Sequence, residues 1–157
     1  MARLNGFTKK QIIEVYRKMA LSRKLDDKML ILLKQGKSFF HIGASGHEGA
    51  QLAAAEMIKP GEDWSFPYYR DGAYCLGLGM TAREQLLSFL AKAADPNSGG
   101  RQMPQHYGHK DLRIVSQSSP TGTQFLQAVG CAMVCKMEKT KEVVYVSAGE
   151  GTTSQGD

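Results

Sequence analysis

The sequence has little cysteine and no long apolar run. Its three cysteines cannot all pair with one another, and Cys75, Cys131 and Cys135 do not have the spacing of zinc ligands. We expect reduced thiols, with Cys131 and Cys135 on one buried helical face because they are four residues apart; a redox pair is the alternative. The longest uncharged apolar stretch, residues 29–33, is too short to cross a bilayer.

Other absences narrow the class of protein further. No secretory leader is expected, because residues 1–6 are not followed by an apolar core and a small-residue cleavage site. The sequence contains no internal repeat and no low-complexity stretch. Hydrophobic residues make up 42% and charged residues 22%, which is ordinary globular usage and argues against disorder. We therefore expect a soluble, cytoplasmic chain with one domain-sized core and no membrane contact.

The net charge of +5 is unevenly placed along the chain. Residues 1–40 carry ten Lys and Arg against three Asp and Glu, whereas residues 41–157 carry ten against twelve. A basic N-terminal region suggests a nucleic-acid-binding module. The basic residues alternate, however, with apolar residues such as Ile12, Val15 and Met19 at helical spacing, which is typical of a solvated helix face. The sequence thus predicts no nucleic-acid partner.

Capping signals and apolar periodicity predict the helices. Thr8 and Gln11 have the spacing of a capping box, and Gly36 is a suitable C-terminal stop. The 94–110 segment has no apolar periodicity, and a loop of that length in a compact domain is usually functional or disordered. We expect helices over residues 9–35, 47–58, 81–93 and 124–137, the last of them buried.

Two segments have the character of strands. Residues 64–69 are aromatic and short, and residues 142–148 are valine-rich like a central strand of a parallel sheet. Helices and strands followed by a glycine-flanked acid predict an open α/β sheet, which binds ligands at the carboxyl ends of its strands. A buried strand needs partners on both sides, and few strands are visible. We therefore expect an incomplete N-terminal fragment of a longer protein, with an amphipathic helix at 1–36 and part of a binding domain at 37–157.

The strongest chemical signal is Gly-Glu-Gly-Thr-Thr-Ser-Gln-Gly at 149–156. Its first two glycines let the backbone turn sharply and approach an anion closely. The Glu150 carboxylate cannot bind a diphosphate directly, since like charges repel, but it can do so through Mg²⁺. The spacing fits neither a dinucleotide fingerprint nor a P-loop. Taken alone, Gly-Glu-Gly also occurs in ordinary turns that end a strand.

Four segments that occur in order make the signal specific. They are Tyr-Arg-Asp at 69–71, Gly-Arg-Gln-Met-Pro-Gln-His-Tyr-Gly at 100–108, Ser-Ser-Pro-Thr-Gly-Thr-Gln at 118–124 and Gly-Glu-Gly at 149–151. With them the chain resembles the alpha subunit of 2-oxo acid dehydrogenase complexes, most closely the branched-chain type, from the first helix to the last residue. The resemblance implies the thiamin-diphosphate-binding fold, a parallel sheet flanked by helices.

The implied activity is oxidative decarboxylation of a 2-oxo acid on thiamin diphosphate, with transfer of the acyl group to lipoamide. A pyruvate or acetoin dehydrogenase alpha subunit is the alternative within the class. Outside it, the alternatives are a non-catalytic interaction fragment and the basic nucleic-acid-binding module. The implied partners are a beta subunit or fused beta-like half, which completes the site, and a lipoyl acyltransferase core, in an oligomeric intact enzyme.

The resemblance also assigns roles to single residues. The positions that it places on thiamin diphosphate are Tyr68, Tyr69, Arg70, Ser119, Thr121, Glu150, Gly151 and Thr152. Glu150 is the implied Mg²⁺ ligand, and the implied alkali-cation site, for K⁺, consists of Ser118, Pro120, Thr123 and Gln124. No acid–base catalyst is assigned to this chain, and the family's second metal ligand, an Asn, is expected beyond Asp157. We expect His106 and His109 to face solvent or pack on their loop, because no third metal ligand is in view.

Overall fold

The structure, a computed structural model, describes residues 3–4 and 6–155. Two expectations fall partly outside these residues, namely the absence of a leader at residues 1–6 and the last glycine of the 149–156 segment. Among the described residues, none of the helices combines the length and the apolar character needed to cross a bilayer.

Helices surround a small parallel sheet, so the architecture is α/β. The elements are β1 Arg3–Leu4, β2 Phe7–Thr8, α1 Lys9–Lys34, α2 Glu48–Ala55, β3 Trp64–Phe66, α3 Gly72–Leu78, α4 Ala82–Phe89, α5 Thr123–Met137, β4 Val144–Val146 and a 3₁₀ turn at Glu150–Ser154. β1 and β2 form an antiparallel pair, and β3 and β4 pair in parallel. The predicted helices and strands are thus present, although most are shorter than predicted.

α1 begins where the sequence predicts because Thr8 caps it. The Thr8 hydroxyl accepts a hydrogen bond from the Gln11 backbone N–H at 3.3 Å, and the Gln11 side-chain oxygen accepts one from the Thr8 N–H at 2.9 Å. Two of the N–H groups that a helix start leaves unpaired are satisfied in this way. The buried side chains of α1 recur at helical spacing and form one stripe: Ser22, Leu25, Asp26 and Met29. One member of that stripe is a carboxylate.

α3, which the sequence analysis does not predict, lies in the middle of the hydrophobic core. Tyr74 and Cys75 are fully buried there. The Tyr74 ring stacks on the ring of Tyr145 in β4, with 4.4 Å between centroids. The Tyr74 hydroxyl lies 2.7 Å from the Ser65 hydroxyl in β3. One residue therefore connects this helix to both strands of the parallel pair.

α5 is much less buried than predicted. In this helix Gln124 and Ala128 are buried, while a set of apolar side chains is exposed: Leu126, Val129, Met133, Val134 and Met137. Cys131 and Cys135 are partly exposed, so the prediction of a buried face for them is wrong as well. The reason is that α5 packs on one side, against β3 and β4, and its other faces have no partner within residues 6–155.

Gly77 marks the closest approach of α3 to α2. A Cβ atom added at Gly77 would lie 2.4 Å from the Cβ of Ala55 and 3.2 Å from the Leu52 Cδ2. We expect Gly77→Ala to lower the free energy of unfolding by about 1–3 kcal/mol, the usual range for overpacking, in urea denaturation. Gly130→Ala is the matched control, because an added Cβ there meets nothing within 4 Å. It should raise stability by about 0.5–1 kcal/mol, since alanine favours helix. Equal effects at the two positions would contradict the packing argument.

Candidate functional site

The carboxyl ends of β3 and β4 lie side by side. Trp64 pairs with Val144 and Phe66 with Val146, so both strands end at the same edge of the sheet. This is the edge at which open α/β sheets bind ligands. β3 continues into Pro67, Tyr68 and Tyr69, and β4 continues through residues 147–149 into the 3₁₀ turn that contains Glu150.

A narrow cleft opens at this edge, with a volume of about 10 Å³. Eight residues that the sequence analysis assigns to thiamin diphosphate or the alkali cation line it, together with Gln117: Tyr68, Tyr69, Ser118, Ser119, Pro120, Thr121, Gln124 and Thr152. Residues from three distant parts of the chain therefore meet in one place. Pockets that enclose a whole drug-sized ligand are about 300–1,000 Å³, so this cleft is far too small to enclose a ligand by itself.

Close packing joins the walls of the cleft. A Cβ atom at Gly149 would lie 3.7 Å from Tyr68 Cε2, so the start of the Gly-Glu-Gly turn rests against that tyrosine. A Cβ atom at Gly122 would lie 3.2 Å from the Thr152 methyl carbon, which brings the 118–124 segment against the same turn. Gly122 also has a φ of +92°, in the region that favours glycine.

Asp71 ties the two strand ends together beneath the cleft. Its Oδ2 atom accepts hydrogen bonds from the Tyr68 backbone N–H at 3.2 Å and from the Ser147 hydroxyl. Burial raises the pKa of Asp71 to about 6, although both hydrogen bonds act in the opposite direction. Burial also raises the pKa of the Tyr68 hydroxyl, so this tyrosine is neutral at neutral pH.

Four predicted site residues lie beside the cleft and do not line it. Arg70 is exposed, with its Cζ atom 5.7 Å from the centre of the Tyr69 ring and its Nη1 donating to the Gly43 carbonyl at 2.8 Å. Glu150 and Gly151 are exposed on the 3₁₀ turn. The Thr123 hydroxyl donates to the Pro120 carbonyl at 3.0 Å, so two implied alkali-cation ligands already touch.

His106 contacts the cleft, which the sequence analysis does not predict. It is 2% exposed, and its Nε2 lies 3.3 Å from the Ser119 hydroxyl, while its Nδ1 lies 3.2 Å from the Pro104 carbonyl. Packing on the loop is thus confirmed for His106, and exposure to solvent is wrong. The signal in the sequence that could have placed His106 at the cleft is its position inside the 100–108 segment.

Gln117 is the second residue that sequence reasoning missed. It is 5% exposed, and its backbone carbonyl accepts a hydrogen bond from the Gln102 side chain at 2.9 Å. Its side-chain Oε1 is buried and has no hydrogen-bond partner among the described residues. A buried acceptor without a partner is unfavourable by about 1–3 kcal/mol, so this atom offers a hydrogen-bond position to a ligand in the cleft. Its place next to Ser118 was the only signal.

The donor set fits a diphosphate with a divalent ion and a neutral-oxygen cation site. The cleft presents hydroxyl and amide groups, with one carboxylate at Glu150 and one guanidinium at Arg70 on its rim. Within residues 6–155 no group of three His, Cys, Asp or Glu side chains could hold a metal ion alone. Mg²⁺ does not need such a group, because it binds through one or two carboxylates, waters and ligand phosphates.

The sequence is similar to known proteins over nearly its whole length. The family model described as "Dehydrogenase E1 component" matches residues 16–157. The chain is 47% identical over 152 residues to the 2-oxoisovalerate dehydrogenase subunit alpha of Bacillus subtilis, covering 97% of this chain and 46% of that protein. It is 34% identical over 155 residues to the mitochondrial subunit alpha of the same name from Homo sapiens, covering 95% of this chain and 33% of that one. For the mitochondrial subunit alpha 1 of Arabidopsis thaliana the identity is 33% over 150 residues, with 96% and 31% covered.

The chain spans less than half the length of these relatives, while nearly all of it is matched. Because the family model covers all but the first fifteen residues, the chain belongs to the dehydrogenase E1 component family.

Proposed function

We propose that this chain supplies the diphosphate-binding side of a thiamin-diphosphate-dependent decarboxylase that oxidatively decarboxylates a branched-chain 2-oxo acid and passes the acyl group to lipoamide. The observation that supports it best is the cleft itself. The parallel pairing of β3 and β4 brings the 68–70, 118–124 and 149–152 segments to one strand edge in a chain of the E1 family. The named relatives, which are 2-oxoisovalerate dehydrogenase alpha subunits, favour the branched-chain substrate.

Each wall of the cleft has a role in this proposal. Glu150 holds Mg²⁺, through which the diphosphate binds, and Gly151 leaves open space above the turn, since an added Cβ would meet nothing within 4 Å. Tyr69 and Arg70 flank the diphosphate, where a planar guanidinium can bond two phosphate oxygens at once. Ser119 and Thr121 support the rest of the cofactor, and His106 orients the Ser119 hydroxyl.

The family resemblance implies the alkali-cation site, and the neutral oxygens of its residues support it. The Ser118, Pro120, Thr123 and Gln124 groups carry no charge, and Gln124 is fixed by donation from its Nε2 to the Ser147 carbonyl at 3.0 Å. We propose K⁺ at this position, where it would hold the 118–124 segment against the turn. When bound, thiamin diphosphate supplies the nucleophilic carbon and the electron sink of decarboxylation, whereas the residues of this chain bind and orient it.

We propose that a beta subunit, or a beta-like half of the same protein, completes the site and that the whole acts with a lipoyl acyltransferase core. The cleft is smaller than a whole-ligand pocket, so another surface must enclose the remainder of the cofactor. The exposed apolar face of α5, defined by Leu126, Val129, Met133, Val134 and Met137, begins beside the cleft and is available for such a surface. Contiguous apolar patches of this kind mark interaction sites.

The test is a calorimetric titration of the full-length protein with thiamin diphosphate in Mg²⁺. We expect Glu150→Ala to weaken binding by at least about tenfold, as loss of groups around a bound metal does. Glu56→Ala is the matched control, because Glu56 is equally exposed and lies at the end of α2. Unchanged affinity in Glu150→Ala would overturn the metal assignment, and an equal loss in both variants would point to a general charge effect.

A further inference from the structure

The loop at residues 41–45, between α1 and α2, is held from three directions. From α1, the Asp26 Oδ2 accepts hydrogen bonds from the Ala44 N–H at 2.8 Å and from the Ser45 hydroxyl at 3.0 Å. From the long loop near the cleft, the Gln105 side chain exchanges two hydrogen bonds with the Ile42 backbone. From the cleft rim, Arg70 Nη1 donates to the Gly43 carbonyl. The loop thus connects a helix interior with the proposed diphosphate ligand.

Asp26 is a buried side chain that holds this loop from α1. It is 7% exposed, and the ion pairs recorded within residues 6–155 give it no Lys or Arg partner, only His41 with Nε2 at 3.5 Å from Oδ1. Burial lowers the pKa of His41. The two hydrogen bonds to Asp26 Oδ2 both come from one loop, so this buried side chain fixes the loop relative to α1. The contacts of Asp26 therefore indicate that it positions this loop.

Arg70 is the residue whose position depends on this loop. The one hydrogen bond recorded for its guanidinium within the described residues goes to Gly43, one residue before Ala44. A guanidinium has five N–H donors, so this bond leaves others free. With its Cζ atom 5.7 Å from the Tyr69 ring centre, the group stands at the edge of the cleft. Moving the Gly43 carbonyl would move the guanidinium with it.

We propose that Asp26 is a positioning residue for Arg70. By fixing Ala44 and Ser45, Asp26 keeps the Gly43 carbonyl where it holds the guanidinium at the cleft rim, ready for a diphosphate oxygen. The inference rests on the proposed function, because it takes Arg70 as a diphosphate ligand. The competing explanation is that Asp26 only stabilises the loop, in which case its removal would lower stability without changing how Arg70 binds.

A double-mutant cycle on the full-length protein separates these explanations. We would measure the Kd for thiamin diphosphate in Mg²⁺ for the wild type, Asp26→Ala, Arg70→Ala and the double variant; alanine is used because an asparagine oxygen could still accept both hydrogen bonds that reach Oδ2. Residues coupled through a shared backbone segment interact by amounts that correspond to about two- to a hundredfold in affinity, and we expect about tenfold weaker binding for Asp26→Ala. In the Arg70→Ala background the same substitution should cause no further loss, because the group that it positions is gone.

Asp63→Ala is the matched control. Asp63 is 5% exposed and accepts hydrogen bonds from the Lys59 and Val143 N–H groups, both at 2.8 Å, at the opposite end of the strands. It should lower the midpoint of urea unfolding and leave the Kd unchanged. Should Asp26→Ala fail to fold, Ser45→Ala removes one contact to Asp26 from an exposed residue and should weaken binding in the same direction, again only when Arg70 is present.

The outcomes distinguish the two proposals. If Arg70→Ala binds thiamin diphosphate as the wild type does, the role of Arg70 in the proposed function fails, and the role of Asp26 fails with it. If Arg70→Ala weakens binding while Asp26→Ala does not, or if Asp26→Ala weakens it equally in both backgrounds, the proposed function stands and the positioning role is overturned. An affinity loss in Asp63→Ala as large as that in Asp26→Ala would also overturn it.

Discussion

Replacing Asp95 with alanine should lower the free energy of unfolding by about 3 kcal/mol or more, because each hydrogen bond to a charged group contributes about 1.5–3 kcal/mol. Asp95 is 5% exposed. Its carboxylate accepts five hydrogen bonds, from the backbone N–H groups of Asn97, Ser98 and Gly100 and from the side chains of Asn97 and Ser98. Alanine would leave these donors without an acceptor. Urea denaturation followed by circular dichroism measures the loss.

The effect should also reach the cleft. The Ser98 hydroxyl, oriented by Asp95, accepts hydrogen bonds from the backbone N–H groups of Arg101 and Gln102, and the Gln102 side chain donates to the Gln117 carbonyl. Faster amide exchange at residues 97–108 would report this loosening. Asp111→Ala is the control, because Asp111 is exposed, and surface changes of this kind stay within about 0.5 kcal/mol. A loss no greater than that of the control would contradict the role of Asp95.

Replacing Asp71 with asparagine should remove a large pH dependence of stability. The pKa of Asp71 is raised by burial from 3.8 to about 6. A group whose pKa is raised in the folded state stabilises the protein fully below its unfolded pKa, and the contribution is lost as the pH rises through the folded pKa. At 1.36 kcal/mol per unit, this group removes about 3 kcal/mol of stability between pH 3.8 and neutrality.

Asparagine can take the place of the protonated acid because both recorded hydrogen bonds reach one oxygen. The Tyr68 N–H and the Ser147 hydroxyl both donate to Oδ2, so the amide oxygen can occupy that position. We expect the stability of Asp71→Asn relative to the wild type to rise by about 2 kcal/mol between pH 4.5 and pH 7.5, because part of the whole effect already lies below pH 4.5. Groups that titrate alike in both proteins cancel in this difference. A difference that does not change with pH would show that the carboxyl is ionised throughout this range.

Local signals in the sequence predicted the helices that have them. The capping boxes at Thr8 and Thr81 place the starts of α1 and α4, because each satisfies N–H groups with residues three positions away. α3 has no such signal, and two of its seven residues are glycines. It is helical because the core surrounds it. For α5, apolar composition predicted burial, but composition does not reveal how many faces find a partner.

Some residues of the candidate site were likewise predicted from the sequence, and others were not. Ordered motifs predicted the cleft residues Tyr69, Ser119 and Thr121, because these residues lie in the specific segments 69–71 and 118–124. Gln117 and His106 could not be assigned to the cleft, since their roles depend on contacts between segments far apart in the chain. Asp26 was not predicted for a different reason. It sits in the buried stripe of an amphipathic helix, and nothing within α1 distinguishes it from Asp27, which is exposed.

The parallel pairing of β3 with β4 has a consequence for how the molecule folds. Asp63 and Val143, which join the starts of these strands, are 80 positions apart, so the chain between them must close a long loop before the first ladder bond forms. Contacts of such long range form slowly. During synthesis the two tyrosines after β3 emerge well before the turn against which they rest. The only tryptophan, Trp64, begins β3 beneath the Arg113 guanidinium and pairs with Val144, so its fluorescence reports the moment at which the starts of β3 and β4 meet.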